Sequence, residues 1–246
     1  MAVPWVVFGI SGASAAGTGA PLPPLRDHCG SDPSGGKAQV FRFPAADGTS
    51  LDGALLGGSG PGVVLAHESP ADLCGWLPYA AVLERAGFRV LLFDFRGYGL
   101  SERGRTGDYV ADVRGAAREL RRRGATKVFL VGASFGGAAV LTAGAGMSDV
   151  AGIVSLSGET DLPGSDLHAL RAAPRLQAPL LVMTSTTDRY LSVPEAKALA
   201  RAAGSKQKGV VVYPGSFHGW DLLYVAPYKA KASATLIGFL RAHARA

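Results

Sequence analysis

Two patterns of apolar and polar residues divide the chain after its first 36 residues. Between residues 39 and 56 we predict two short strands, Gln39–Phe43 and Leu51–Leu56, separated by the turn dipeptide Asp47-Gly48. Their composition is typical of a hairpin at the edge of a sheet. From residue 63 onward, short apolar runs alternate with helical patterns of about 10–15 residues, which predicts right-handed βαβ units. The pattern predicts an α/β protein with a mostly parallel, eight-stranded sheet flanked by helices.

The alternating part of the chain supplies six strands and five helices. Gly87 and Gly124 end the first two helices, and Pro194 lies in the first turn of the fourth, where proline is favoured. The predicted strands are Val63–Ala66, Arg89–Phe93, Val128–Val131, Val150–Leu156, Leu180–Met183 and Val210–Tyr213, and the predicted helices are Trp76–Ala86, Tyr109–Arg123, Phe135–Ala145, Glu195–Ala203 and Tyr228–Ala244.

Residues 1–36 lack this alternation and predict a flexible leader or a signal-peptide remnant. Residues 11–36 are rich in Gly, Ser and Pro. The apolar run Pro4–Ile10 and the cleavage-like tripeptide Ala13-Ser14-Ala15 resemble a secretory signal, but the positively charged start of such a signal is absent. Both interpretations stay open. Residues 37–246 contain no linker or repeat and are predicted to form a single domain.

Composition narrows the class of protein. A hydrophobic content of 48% with 18% charged residues is enough for a sizeable core and excludes a disordered chain. The net charge of +6 comes from scattered basic residues, and the one cluster, Arg121–Arg123, ends a predicted helix, where cations suit the helix dipole. No stretch reaches the roughly 18 apolar residues of a membrane span. We expect neither a nucleic-acid partner nor a transmembrane segment, and the oligomeric state stays open.

The two cysteines bear on the cellular compartment in which the protein is located. Cys29 lies in a polar loop and Cys74 follows a predicted strand. A Cys29–Cys74 disulfide is conceivable outside the cytoplasm, and two free thiols are the alternative. An extracytoplasmic location is slightly favoured over a cytoplasmic one.

Chemistry-bearing residues follow three of the predicted strands. Ser134 lies in the G-x-S-x-G sequence Gly132-Ala133-Ser134-Phe135-Gly136, at a sharp turn from strand to helix. A serine hydroxyl needs a histidine to take its proton and a carboxylate to orient that histidine. Asp188 and His218 each follow a later strand, and ligands of parallel sheets bind at the carboxyl ends of the strands. The sequence therefore predicts a Ser134–Asp188–His218 catalytic triad.

Other residues compete for these roles. Asp161 also follows a strand and is an alternative acid. His67 is interpreted as bracing its loop rather than as the base, and Asp94 and Arg96 as a structural pair that holds the loop after their strand. The remaining histidines lie in the leader, in the segment after Asp161 and in the last helix: His28, His168 and His243.

Cofactor and metal motifs are missing from the sequence. A metalloprotease motif starting at His67-Glu68 would need a second histidine at position 71, which is Ala71. The chain has no P-loop and no G-x-G-x-x-G after a strand. We therefore predict neither a cofactor nor a metal.

Five segments of the chain, in order, resemble the α/β-hydrolase superfamily: LAHES, DFRGYG, VGASFGG, TSTTD and GSFHGW. They look most like small bacterial serine esterases and dienelactone-hydrolase-like proteins. The resemblance implies the α/β-hydrolase fold and assigns the oxyanion hole to the backbone N–H groups of Ser69 and Phe135. Dienelactone hydrolases proper use cysteine as the nucleophile, whereas position 134 is serine, which favours an esterase.

Only residues 158–178 separate the sixth and seventh predicted strands, so we expect no substantial cap domain. We therefore predict a serine esterase that acts on short-chain acyl esters, with an open cleft. The alternatives are a peptidase, amidase or lactone hydrolase of the same fold, and a non-catalytic binding protein. Five aromatic residues are candidates for the lining of the cleft, with ordinary packing as the alternative for each: Trp76, Tyr98, Phe135, Trp220 and Tyr224.

Overall fold

The structure is a computed structural model that describes residues 21–105 and 107–245 of the 246-residue chain. The apolar run at residues 4–10 and the cleavage-like residues 13–15 lie outside the described residues. The strands of the described part are β1 (Gln39–Pro44), β2 (Ser50–Leu56), β3 (Gly62–Ala66), β4 (Arg89–Phe93), β5 (Val128–Ala133), β6 (Val150–Leu156), β7 (Leu180–Ser185) and β8 (Lys208–Tyr213).

These strands form one sheet in the order β1-β2-β4-β3-β5-β6-β7-β8. β2 is antiparallel to both of its neighbours, β1 and β4, and all other neighbouring strands are parallel. The predicted hairpin lies at one edge, and the prediction of a mostly parallel eight-stranded sheet is confirmed.

Eight α-helices accompany the sheet in the described residues. All five predicted helices are present, with ends within two residues of the prediction, and α1, α5 and α7 are additional short helices. Ser192 and Glu195 form a capping box at the start of the sixth helix. The helices are α1 (Leu25–Cys29), α2 (Leu77–Arg85), α3 (Tyr109–Arg122), α4 (Phe135–Gly144), α5 (Ala169–Ala172), α6 (Val193–Ala202), α7 (Asp221–Tyr224) and α8 (Lys229–Ala244).

The sheet separates two hydrophobic cores. Residues of α3, α4, α5 and α6 pack in one core, and residues of α1, α2, α7 and α8 pack in the other. Strand β3 contributes to both because successive side chains of a strand point to opposite faces: Val64 and Ala66 face the first core, and Val63 and Leu65 face the second. Burial on both faces explains why the central strands are continuous apolar runs.

The described part of the leader is attached to the domain. Helix α1 buries Leu25 in the second core. Cys29 at the end of α1 forms a disulfide with Cys74, which lies in a 3₁₀ turn, Leu73–Trp76, that precedes α2. The structure thus contains the disulfide, one of the two alternatives that the sequence leaves open.

Asp94 and Arg96 do not pair with each other, so the predicted pair is wrong. Arg96 is buried and donates to Asp112 of α3 through Nη2 at 2.6 Å, and to Asp47 through Nη1 at 2.8 Å. Asp94 accepts the backbone N–H groups of Leu73 and Leu100 at 2.8 and 3.0 Å. Both residues do brace the loop after β4: Asp94 binds Leu100 of that loop and Leu73 from outside it, and Arg96 binds Asp47 and Asp112 from other parts of the chain.

The segment between β6 and β7 is short, as predicted. It holds only α5 and a 3₁₀ turn at Ala173–Arg175. No cap domain is inserted at this position. The carboxyl ends of β5, β6 and β7 are therefore not covered by an insertion from this segment.

Candidate active site

Ser134 lies at the turn between β5 and α4. Its backbone has φ +48°, a left-handed value that is unusual for a residue with a side chain. The turn is held by the N–H of Ser134, which donates to the Leu156 carbonyl of β6 at 2.8 Å. A Cβ on Gly136 would clash with the carbonyl of Ala66, so α4 can approach β3 only without a side chain there. The sequence therefore holds a strained serine, 9% exposed, at the end of the central strand.

Asp188 and His218 are joined by a hydrogen bond. His218 follows β8 and Asp188 follows β7, and Nδ1 of His218 lies 2.9 and 3.1 Å from the two carboxylate oxygens of Asp188. Because Asp188 is ionised and acceptor-only, Nδ1 is the protonated nitrogen of a neutral ring, which leaves Nε2 as the acceptor. The structure thus brings the predicted acid and base together.

The Asp188 carboxylate has further donors in its own loop. Its Oδ1 accepts the backbone N–H groups of Tyr190 and Leu191 at 2.9 and 3.1 Å. Burial alone would raise the pKa of Asp188, but the hydrogen bonds from His218 and from the Tyr190 N–H hold that pKa below its ordinary value. Asp188 therefore remains an anion at neutral pH, fixed in position against the histidine.

The alternative acid lies elsewhere. Asp161 hydrogen-bonds Nδ1 of His168, seven residues later in the chain, and its side chain is 59% exposed. Neither of these two residues contacts His218 through a hydrogen bond among the described residues. The geometry thus joins Asp188, and not Asp161, to the candidate base.

The two N–H groups assigned to the oxyanion hole belong to adjacent segments. Ser69 lies in the loop after β3, and Phe135 is the first residue of α4. The hydroxyl of Ser69 lies 2.9 Å from that of Tyr98. In the described chain, neither backbone N–H donates to a distant partner.

His67 braces the loop after β3, as the sequence analysis expects. Its Nδ1 lies 2.9 Å from the carbonyl oxygen of Glu68, and its Nε2 accepts the N–H of Phe95 at 3.1 Å. Both bonds require a neutral ring with the proton on Nδ1. Burial lowers the pKa of His67 to about 4, so the ring stays neutral at physiological pH.

Glu68 is a residue near the site that the sequence analysis does not single out as functional. It is half-buried, and its Oε2 accepts the backbone N–H of Trp220 at 3.3 Å. Burial raises the pKa of Glu68 to about 7. The available signal in the sequence was an acidic residue directly before Ser69, the predicted oxyanion donor. The hydrogen-bond partner of Glu68, Trp220, lies 152 residues further along the chain.

The aromatic residues near the site have different surroundings. Phe135 packs edge-to-face on Tyr109 at 4.7 Å and lies 6.0 Å from Tyr98, between ring centroids. Trp76 is fully buried in the second core and donates from Nε1 to the Ala66 carbonyl at 2.8 Å, so for Trp76 the alternative of ordinary packing applies. The exposed ring of Tyr190 lies 4.6 Å from that of His218.

One cluster in the described residues has the spacing of a metal site. The donor atoms of His28, Cys29 and Cys74 lie within 4.8 Å of one another. The two sulfur atoms are bonded to each other, so neither is a thiolate that could bind a metal. Asp188 and His218 belong to no such cluster in the described chain.

Comparisons with known proteins agree with this fold. Solved structures of similar fold include an esterase from Pyrococcus furiosus, with 17% identity over 83% of this chain and 91% of that chain, and a TM-score of 0.72. An esterase from Thermogutta terrifontis has 19% identity over 83% and 99%, with a TM-score of 0.67. An enol-lactonase from Burkholderia xenovorans has 20% identity over 81% and 99%, with a TM-score of 0.66. No curated protein sequence matches the chain.

The model of one protein family matches residues 63–242, which include the strands β3 to β8 and all five predicted site residues. In the described residues, no helix has both the length and the hydropathy needed to cross a bilayer. The matching family model is described as the alpha/beta hydrolase family, and the chain belongs to that family.

Proposed function

We propose that the protein is a serine hydrolase that cleaves carboxylic esters through an acyl-enzyme on Ser134. The observation that carries the proposal is the Asp188–His218 hydrogen bond at the same edge of the sheet as a strained, positive-φ serine. In the described residues Ser134 Oγ has no hydrogen bond to His218. Such bonds are often long before substrate binds and shorten in the reacting complex.

The proton path follows from the ring orientation. Nε2 of His218 takes the proton of Ser134 as Oγ attacks the ester carbonyl, and Asp188 stabilises the imidazolium that forms. His218 then gives this proton to the alcohol oxygen of the leaving group as the C–O bond breaks. A water molecule, deprotonated by His218, hydrolyses the acyl-enzyme and restores Ser134.

The negative oxygen of the tetrahedral intermediate is stabilised by the N–H groups of Ser69 and Phe135. Phe135 begins α4, so the positive end of the helix dipole adds to its N–H. Loss of one such donor typically costs about 3–4 kcal/mol in comparable sites. His67 supports this arrangement because its two hydrogen bonds hold the loop that carries Ser69.

The substrate is a small ester. The segment between β6 and β7 forms only α5 and a 3₁₀ turn, which is too little chain to enclose a long acyl group. Each buried CH₂ contributes roughly 0.8 kcal/mol, but an open cleft buries only the first few carbons of the acyl chain. We therefore expect kcat/KM to peak on acyl chains of about two to six carbons and to fall beyond. Amides, whose nitrogen is a poorer leaving group, should be hydrolysed negligibly.

A panel of chromogenic esters of increasing acyl length, run beside matched lactones and amides, tests the substrate class. Intact-mass analysis after treatment with a fluorophosphonate tests the nucleophile, with Ser134→Ala as the unlabelled variant. The exposed Ser148→Ala is the control that keeps both the label and the activity. Activity that still rises at about twelve carbons would contradict the open cleft. A protein that is neither labelled nor active on any ester would contradict the proposed function and favour a binding role.

A further inference from the structure

We propose that Glu68 is a positioning residue for the reaction proposed above. Its carboxyl group joins the loop that carries His218 to the loop that carries Ser69. We call this contact between Glu68 and the Gly219-Trp220 backbone the loop clamp. The inference rests on the proposed function, because the two loops it joins carry the proposed base and one proposed oxyanion donor.

The first support is a hydrogen bond between distant parts of the chain. Glu68 Oε2 accepts the N–H of Trp220, two residues after His218, at 3.3 Å. Glu68 directly precedes Ser69. A single carboxyl group therefore connects the segment that carries Ser69 with the segment that carries His218.

Gly219 supplies the second support. Its backbone has φ +52°, and a Cβ built there would clash with Glu68 Oε2 and lie 3.6 Å from the Cβ of Ala133. The backbone after His218 thus lies against both the Glu68 carboxyl and the residue that precedes Ser134. A side chain at position 219 would displace the carboxyl, so the absence of a side chain there is what allows the contact.

The other side of the clamp is anchored by aromatic packing. The ring of Trp220 packs edge-to-face on buried Trp76, with 5.7 Å between centroids, and Gly75 leaves the space that this ring fills. Tyr224 of α7 donates its hydroxyl hydrogen to the carbonyl of Gly75 at 2.8 Å. With the indole fixed by packing and its N–H fixed by Glu68, the backbone that leads from His218 has little freedom.

Charge makes the clamp detectable in a pH profile. Glu68, Glu159 and Asp188 are the carboxyl groups that face His218, and Asp221 at the start of α7 faces Glu68. Because burial raises the pKa of Glu68 to about 7, its carboxyl group becomes a charged and stronger acceptor only as the pH rises through about 7. Glu68→Gln, which stays neutral, should therefore lose the part of the pH dependence of kcat/KM that follows the ionisation of Glu68.

Three substitutions separate the hydrogen bond from the charge. Glu68→Gln keeps an acceptor oxygen for the Trp220 N–H, so plateau kcat should stay within about threefold of wild type. Glu68→Ala removes the acceptor and should lower kcat by about ten- to a hundredfold with little change in KM, as misplaced catalytic groups do. The matched control is Glu102→Ala, since Glu102 also accepts one distant backbone N–H, that of Ser50 at 3.2 Å. This control should leave kcat unchanged.

Two measurements do not depend on turnover. The Trp220 amide should exchange faster in Glu68→Ala, whereas in Glu68→Gln, which keeps the acceptor, its exchange should stay near that of the wild type. If no ester is hydrolysed, the proposed function fails while these readouts still test the clamp. Wild-type kcat in Glu68→Ala, or unchanged Trp220 exchange in that variant, overturns the clamp. If Glu68→Ala does not fold, the chemical shift of the Trp220 amide decides: it should follow the ionisation of Glu68 near pH 7 in the wild type and lose that step in Glu68→Gln, and the absence of that step in the wild type overturns the clamp.

Discussion

His67 and His218 both follow strands of the sheet at its carboxyl edge, and their surroundings give the two rings different chemistry. His67 is buried, and both of its nitrogens are used in backbone hydrogen bonds. His218 is partly exposed, and among the residues that the structure describes it has a hydrogen-bond partner at Nδ1 only. A ring with a free, accessible Nε2 can accept a proton from a substrate-bound serine, whereas His67 cannot without breaking its bond to Phe95.

The identity of the acid can be tested at the same scale. Asp188→Asn should lower kcat by about four orders of magnitude, because an amide favours the wrong histidine tautomer. Asp161→Asn should have little effect, since Asp161 hydrogen-bonds exposed His168 instead. Steady-state kinetics on the best ester of the panel gives both values. The reverse ranking would assign the acid to Asp161.

At the scale of elements, the position of Ser134 depends on how closely α4 approaches β3. Gly136 stands in the first turn of α4, where a Cβ would meet the backbone carbonyls of Ala66 and His67. The helix cannot move away without moving Ser134 and Phe135 with it. The contact thus links packing to the geometry of the nucleophile.

Two matched glycine substitutions test this contact. Gly136→Ala should lower the free energy of unfolding by about 1–3 kcal/mol through overpacking and should reduce kcat in the fraction that folds. Gly238→Ala in α8 introduces a Cβ with no atom within 4 Å. It should raise stability by about 0.5–1 kcal/mol, as glycine in a helix interior is unfavourable. Urea unfolding and kinetics measure both, and equal effects of the two variants would contradict the packing argument.

At the scale of the whole molecule, the Cys29–Cys74 disulfide attaches the leader to the 3₁₀ turn that follows the Ser69 loop. The bridge joins residues 45 apart in the chain. In the chain-entropy account, closing a loop of this length stabilises the folded state by at most about 4 kcal/mol. The disulfide thus restrains the leader more than α1 alone would, since Leu25 is the buried residue of this short helix.

The disulfide is open to direct measurement. The native oxidised protein should contain no titratable thiol, and the Cys29→Ala/Cys74→Ala variant should have a lower Tm. Calorimetry of the reduced wild type gives a second estimate of the same loss. Two reactive thiols in the native oxidised protein would show that the bridge does not form and would favour the cytoplasm.

The strands and long helices were predictable because they depend on local pattern. β5, for example, is buried on both faces and is therefore a short apolar run, and α4 follows it at an elbow with a recognisable glycine spacing. Ser134, Asp188 and His218 could be predicted as a triad because each lies in the segment that follows a strand. Their order along the chain suffices to place them at one edge of the sheet.

The remaining features depend on contacts between distant residues. Nothing near Arg96 in the sequence indicates that its partner is Asp112, one helix later, rather than neighbouring Asp94. Trp76 is one of the aromatic candidates for the cleft lining, but its ring nitrogen donates to the Ala66 carbonyl inside the core. Glu68 meets Trp220 only because β3 and the loop after β8 end at the same edge of the sheet. The sequence order carries no signal for such pairs.

The short segment between β6 and β7 also has a consequence for how fast the proposed enzyme works. In many enzymes, lid opening or product release limits turnover rather than the chemistry. The chain between these strands has no lid to open, so a chemical step, formation or hydrolysis of the acyl-enzyme, should limit turnover. kcat/KM, which covers the steps up to acylation, should then follow the leaving-group ability of the alcohol, and kcat should be insensitive to the viscosity of the solvent.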